Sequence, residues 1–308
     1  MSRVSLKQKL QEYKKHPFSF LMLLLVILAI VITVGVLLSI LAYILIKGIP
    51  NLSPELFAWE YNSENVSMMP AIVNTVTVTA LSLLIAIPAG IFSAIYLAEY
   101  AHRGSRIVKI IRVTAETLSG IPSIIYGLFG YLMFVVYFQM GYSLLAGILT
   151  LAIMILPLIM RTTEEALKSV PDTYREGSFG LGAGKLRTVF KIVLPSAVPG
   201  ILSGIILGLA RAFGEALAVA MVIGQTTALP ENIFSTTKSL TTEITAQMGN
   251  AMEGGETKTA LWTLALLLFL ISLFFIFLIH ILSSKKPEGS HGKASTSRST
   301  VDKSTDKL

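Results

Sequence analysis

EGSFGLGAGKLRTVFKIVLP, residues 176–195, is the stretch on which the reading of this chain turns. Its skeleton is Glu176-Gly177-Ser178, then Gly182, Ile192 and Leu194-Pro195. Glu176 opens a polar helix, and the small residues beside it let another surface approach closely. Gly182 breaks that helix. Pro195 starts the next one, where its missing N–H costs nothing. Lys185, Arg187 and Lys191 make the stretch basic. Upstream, residues 117–160 contain no charge, and downstream 195–225 is again apolar. A basic loop between long apolar stretches belongs to a polytopic membrane protein.

Composition agrees. Of 308 residues, 53% are hydrophobic and only 14% charged, against about 25% charged in a soluble domain. Mean hydropathy is +0.71. The absence of cysteine excludes a disulfide framework, a thiol nucleophile and a Cys-based metal site. His16, His102, His280 and His291 are scattered and show no ligand spacing. Gly180-Leu181-Gly182-Ala183-Gly184 has the glycines of a phosphate-cradling loop. However, it follows no strand, and Lys185 is followed by Leu186 where a Walker sequence needs Ser or Thr. The chain is therefore expected to bind no cofactor and to have no nucleotide site of its own.

The segment 1–17 is basic, and 18–46 then runs 29 residues without a charge. As a helix this is about 43 Å, longer than a hydrocarbon core of about 30 Å, so it spans with tilt. It is read as an uncleaved first span with an outer loop to residue 69. Residues 70–98 form the second span, with Pro88 inside it. Residues 99–112 read as a basic turn. The 44 uncharged residues 117–160 exceed one crossing. They are expected to break at Gly120-Ile121-Pro122 and fold back at 139–142, giving spans at 123–137 and 144–160. The loop 161–195 follows, then a fifth stretch at 195–225. A polar, slightly acidic segment at 226–258 has room for a short surface helix. A sixth span lies at 259–284, and 285–308 is a Ser/Thr/Lys-rich tail expected to be disordered. Residues 70–284 thus form a core of five spans behind the first.

Charge placement sets the orientation. With both termini inside, Lys47, Lys238 and Lys258 are the only Lys or Arg left outside, where glutamates outnumber them. The reverse topology violates the positive-inside rule. The net charge of +7 therefore reports topology and calls for no nucleic-acid partner.

Within the fifth stretch Gly200, Gly204, Gly208, Ala212, Ala216 and Ala220 recur every four residues, a seam for close helix packing. Arg211 and Glu215 stand four apart in the same stretch. Charges inside hydrocarbon are expensive and face a protein interior or an aqueous path. The pair is read as part of a substrate pathway, with a purely structural ion pair as the alternative.

The spacing of Glu176, Gly177, Ser178, Gly182, Ile192, Leu194 and Pro195 resembles the E-A-A, G, I-x-L-P loop of bacterial ABC importer permeases, with Gly177 and Ser178 replacing the two alanines. Further stretches resemble the phosphate branch of that family, the PstA type: AIYLAEY at 94–100, SGIPSIIYG at 119–127, RTTEEAL at 161–167 and RAFGE at 211–215. Met68-Met69 departs from the two glycines common there. The resemblance implies an all-α, six-helix permease of the type I, MetI-like fold in the bacterial cytoplasmic membrane. It implies that residues 176–195 dock on an ATPase. It also implies a second permease subunit of the PstC type, two ATPase subunits of the PstB type that use ATP, and a phosphate-binding protein of the PstS type. The competing readings are a permease for another oxyanion such as molybdate or phosphonate, and a stand-alone channel or secondary carrier. A membrane enzyme lacks a catalytic cluster.

Overall fold

The computed structural model describes residues 17–59, 67–102, 104–248 and 256–284. The basic segment 1–16 and the tail 285–308 lie outside the described residues. Every regular element described is helical. In chain order these are α1 Pro17–Gly48, α2 Met69–Ile95, α3 Arg106–Ser119, α4 Ser123–Gly130, α5 Leu144–Lys168 and α6 Asp172–Gly180. They continue as α7 Lys185–Thr188, α8 Leu194–Phe213, α9 Leu217–Ile223, α10 Leu240–Met248 and α11 Glu256–Ser284. Wide π-type turns extend α2 through Tyr96–Tyr100 and α4 through Tyr131–Tyr137, and join α7 to α8 through Val189–Val193.

Each expected span overlaps a helical stretch, although the fifth, expected at 195–225, is divided between α8 and α9. Four of the helical stretches are long and apolar enough to cross a membrane: Phe18–Asn51, Met69–Tyr100, Leu144–Lys168 and Lys185–Phe213. The pair Arg106–Ser119 and Ser123–Tyr137 makes a fifth if counted as one span, bent by 104°. Glu256–Ser284 contains a shorter apolar run, Leu261–Phe274. The break at Gly120-Ile121-Pro122 falls at that bend. The chain folds back where expected, with Gln139 at φ 53° and Gly141 at φ 67°.

α5 is the centre of the bundle. Leu151, Met154, Ile155 and Ile159 are fully buried among Val78, Leu83 and Ala86 of α2, Ala212 of α8, and Ala218 and Val219 of α9. Its first turn is closed from two sides. Ser143 Oγ accepts the Ala146 N–H at 3.2 Å. The backbone N–H groups of Leu144 and Leu145 donate to Ser235 and Ile233 carbonyls at 3.0 and 2.9 Å. α1, by contrast, stays on the outside and meets α11, where Tyr43 and Trp262 pack edge to face with centroids 4.8 Å apart.

The small-residue stripe is the α8–α5 seam. A Cβ on Gly200 would meet Ala166 Cβ at 2.6 Å, one on Gly204 would strike the Thr162 side chain, and one on Gly208 would meet Ile159 at 3.2 Å. Gly204→Leu is therefore expected to destabilise the chain by about 1–3 kcal/mol or more. Thermal unfolding in detergent checks this, and an unchanged midpoint would contradict the seam. Ala216 and Ala220 do not extend it, because α8 ends at Phe213.

Three further expectations are corrected. The "basic turn" at 99–112 holds the first half of α3, a 14-residue amphipathic helix. Its alternation of Ile and Lys/Arg follows a helical period. The segment at 226–258 carries α10, but its first turn is buried: Leu240, Thr241, Thr242 and Glu243 are all covered. Its hydroxyls find partners inside the protein, which is what burial requires. Ser239 Oγ lies 2.7 Å from Thr242 Oγ1 and accepts its N–H, and Thr75 Oγ1 accepts the Leu240 N–H at 2.8 Å. Finally, the fifth stretch is two helices, with a break at Gly214.

Candidate functional site

The loop foreseen at 176–195 forms a compact projection at one end of the bundle. α6 ends in a Schellman motif: the Ala183 N–H donates to Ser178 O at 3.1 Å and the Gly182 N–H to Phe179 O at 2.9 Å. Gly182 is the left-handed residue this needs, at φ +81°. The chain then re-enters a helix at Lys185. Ser178 and Thr188, both buried, join α6 to α7 through their hydroxyls at 2.8 Å.

The projection is fastened to the bundle by groups that spacing alone does not reveal. Arg175 Nη2 donates to Glu99 Oε1 at 2.6 Å and to Leu167 O at 2.9 Å. Its Nη1 donates to Val170 O at 2.7 Å and Asp172 Oδ1 at 3.1 Å. Hydrogen bonding to Glu99 holds the Arg175 guanidinium above its ordinary range. Removing one partner of a buried pair of this kind costs roughly 3–5 kcal/mol. Lys185 Nζ also sits 5.1 Å from the Tyr100 ring centroid. Beside these, Glu164 receives both Arg112 Nε at 2.6 Å and Lys168 Nζ at 2.7 Å. The anchoring carboxylates lie in the 94–100 and 161–167 stretches. Two of their three cationic partners are distant in sequence: Arg175 lies 76 residues from Glu99 and Arg112 lies 52 from Glu164, whereas Lys168 is one helical turn away.

What the projection offers outward is mixed, with large apolar side chains among exposed charges such as Glu176, Lys185 and Arg187. Leu181 is 91% exposed and Leu186 65%, with Tyr174 and Phe179 also exposed. Glu176 and Gly177 are exposed on α6. Ser178 faces inward, Ile192 and Leu194 are half-buried where the loop rejoins the bundle, and Pro195 is exposed. The predicted residues thus divide between exposed positions (Glu176, Gly177, Gly182, Pro195) and covered ones (Ser178, Ile192, Leu194).

Arg211 and Glu215 lie at a different level. The seam register pairs Gly208 with Ile159, and Ala212 packs in one cluster with Ile155. Arg211 therefore stands level with the middle of α5. It is half-buried. The expected i,i+4 ion pair with Glu215 is absent: among the described residues no carboxylate lies within 4.0 Å of Arg211. The cause is local. Gly214 ends α8 in the bridge conformation, φ −82° and ψ −1°. The buried Glu215 carboxylate instead accepts the Ala218 N–H at 2.9 Å, at the positive end of α9. Its carbonyl accepts the Thr241 hydroxyl at 2.7 Å. Glu215 thus ties α9 to α10, and the Arg211 fork is left without a carboxylate among the described residues. Among the described residues no cluster of three or more His, Asp or Glu could hold a metal.

Residues 86–286 match the family described as "binding-protein-dependent transport system inner membrane component". The chain belongs to this family. As an inner membrane component it is a membrane permease subunit of the ABC type. It is 38% identical over 225 residues to the probable ABC transporter permease protein YqgH of Bacillus subtilis, covering 71% of this chain and 72% of that one. It is 42% identical over 128 residues to the phosphate transport system permease protein PstA 2 of Mycobacterium tuberculosis, covering 42% of each. It is 39% identical over 179 residues to PstA of Pasteurella multocida, covering 58% of this chain and 63% of that one. The match thus spans less than two thirds of either PstA relative. Among solved structures it resembles a bacterial ABC transporter involved in import of the acidic polysaccharide alginate, with TM-score 0.62 at 17% identity over 91% of this chain and the whole of that one. It also resembles the MetNI methionine ABC transporter in inward-facing conformations, with TM-score 0.57 at 20% identity over 70% of this chain and 93% of that one. These two likenesses concern the fold. The all-helical permease architecture of the inner membrane component is the one expected from the sequence.

Proposed function

We propose that this permease subunit moves inorganic phosphate inward across the bacterial cytoplasmic membrane, driven by ATP hydrolysis in partner subunits. The observation that carries the reading is the α6–α7 projection. An exposed apolar tip, Leu181 and Leu186, sits on helices locked to the bundle by Arg175 and Glu99. A stand-alone channel or carrier has no use for such a rigid lever. The assembly comprises a second permease subunit of the PstC type, two ATPase subunits of the PstB type and a phosphate-binding protein of the PstS type. The PstA relatives support phosphate as the substrate, and so does a mid-depth guanidinium whose planar fork suits phosphate oxygens.

Two measurements test this. Purification in mild detergent is expected to bring down an ATPase and a second permease, and recovery of the chain alone would favour a self-sufficient carrier. In uptake competition, unlabelled phosphate is expected to suppress labelled phosphate far more than molybdate or sulfate does. Stronger competition by molybdate would reassign the substrate.

Both termini and the α6–α7 projection are placed on the cytoplasmic side in this proposal, following the charge distribution. Reporter fusions after Gly48 and after Gln139 are expected to report an outside location. A cytoplasmic signal at either site would invert or break the topology.

A further inference from the structure

α3 and the cavity beside it have no role in the transport reading. α3 bends away from the following helix by 104°, so it lies nearly across the direction of that span at the α6–α7 end of the bundle. Its two faces differ in chemistry. Ile107 is 69% exposed and Ile110 63%, and with the exposed Ile111 and Thr114 they form one face. Val108 and Ala115 are buried against the bundle. On the remaining side α3 helps enclose a cavity of about 520 Å³ lined by His102, Ser105, Lys109, Arg112 and Lys168.

The cavity is electropositive. Arg112 and Lys168 share the single carboxylate of Glu164. Lys109 makes no ion pair within 4.0 Å among the described residues. The first turn of α3, which opens at Ser105, has no acidic residue and no side-chain cap. Its positive end therefore adds to the basic side chains.

We propose that α3 lies in the membrane interface at this end of the bundle, with Ile107 and Ile110 in the acyl region. The basic cavity takes the headgroup phosphate of an anionic phospholipid. An in-plane helix with an apolar face and a basic opposite side suits this position, and basic pockets between membrane helices suit anionic headgroups. An aqueous partner gains nothing from the exposed isoleucines, whereas a lipid engages both faces. The inference rests on membrane embedding alone and is independent of which anion is transported.

The chain has no cysteine, so single-cysteine labels report cleanly. The full chain with its co-expressed partners is placed in nanodiscs of phosphatidylglycerol with phosphatidylcholine, or of phosphatidylcholine alone. Spin labels at Ile107→Cys and Lys109→Cys are expected to differ, the first accessible to oxygen and the second to an aqueous nickel chelate. Aqueous exposure of both would overturn the interfacial placement. Native mass spectrometry of the extracted complex is expected to show phosphatidylglycerol retained over phosphatidylcholine. Lys109→Gln is expected to weaken that retention about fivefold, as the loss of one cation near anionic lipid implies. Equal retention of both lipids, or no effect of Lys109→Gln in a complex that elutes as wild type, would overturn the headgroup site. Displacement of phosphatidylglycerol by millimolar inorganic phosphate would also overturn it, by assigning the cavity to free phosphate. Loss of the second permease on Ile110→Ser would reassign the apolar face to that subunit.

Discussion

Gly182→Val is expected to reach the membrane at wild-type levels and to lose most of its transport. The reason lies in the backbone. Position 182 holds φ +81°, where a residue other than glycine pays about 1–2 kcal/mol, and a β-branched residue is a genuine outlier. Relief of that strain requires the Schellman turn to open, releasing the hydrogen bonds from Ala183 to Ser178 and from Gly182 to Phe179. Leu181 and Leu186 would then leave their fixed relation to each other. Nothing lies within 4 Å of a Cβ built on Gly182, so the substitution creates no clash inside the chain. Insertion and packing are thereby separated from coupling.

The side-chain series makes the test specific. Asn visits the left-handed region with little penalty and is common at this helix-end position, so Gly182→Asn should transport nearly normally. Gly182→Ala should fall between. Gly182→Val should reduce uptake about tenfold or more, the equivalent of roughly 1.4 kcal/mol or more lost from the productive geometry. ATP hydrolysis by the assembled complex should persist out of step with uptake. Equal transport by the Val and Asn variants would show that the turn is not what couples the subunits.

This turn was legible in the sequence because its cause is local. The glycine at 182 and the Gly120-Ile121-Pro122 break each act within a few residues, whereas Pro195 does not open the span as expected but sits inside the helical stretch Lys185–Phe213. The contacts that fasten the projection were not legible. Glu99 and Arg175 are 76 residues apart, and nothing in the spacing of either announces the other. The break after Phe213 was hidden for a different reason. Hydropathy continues across Gly214, and a single glycine inside an apolar pattern does not by itself end a membrane helix. The i,i+4 spacing of Arg211 and Glu215 then suggested a pair that the bent backbone does not make. The buried first turn of α10 was masked by its composition. Ser239, Thr241 and Thr242 read as surface residues until Glu215 and Thr75 supply the buried partners for this turn.

The geometry at Arg211 yields the second large effect. A guanidinium level with the middle of α5 is costly in hydrocarbon, and on the proposed pathway a visiting anion would offset that cost. Glu215 does not neutralise it, because that carboxylate is engaged with the Ala218 N–H. If phosphate is the substrate, as proposed, it need not displace a carboxylate before it reaches the fork. Arg offers two parallel N–H donors to two oxygens, whereas Lys keeps only the charge. Arg211→Lys should assemble with its partners and take up phosphate more slowly. Arg211→Gln should lose on the order of 10- to 100-fold, as expected for hydrogen bonds to a charged group worth about 1.5–3 kcal/mol. Glu215→Gln gives the counter-test. Its amide oxygen still accepts the Ala218 N–H, so assembly should survive and uptake should change far less than in Arg211→Gln. If Arg211 and Glu215 worked as an ion pair, the two neutral variants would be equally impaired. Uptake measured in membranes with matched subunit levels separates the cases, and wild-type uptake by Arg211→Gln would take this side chain out of the pathway.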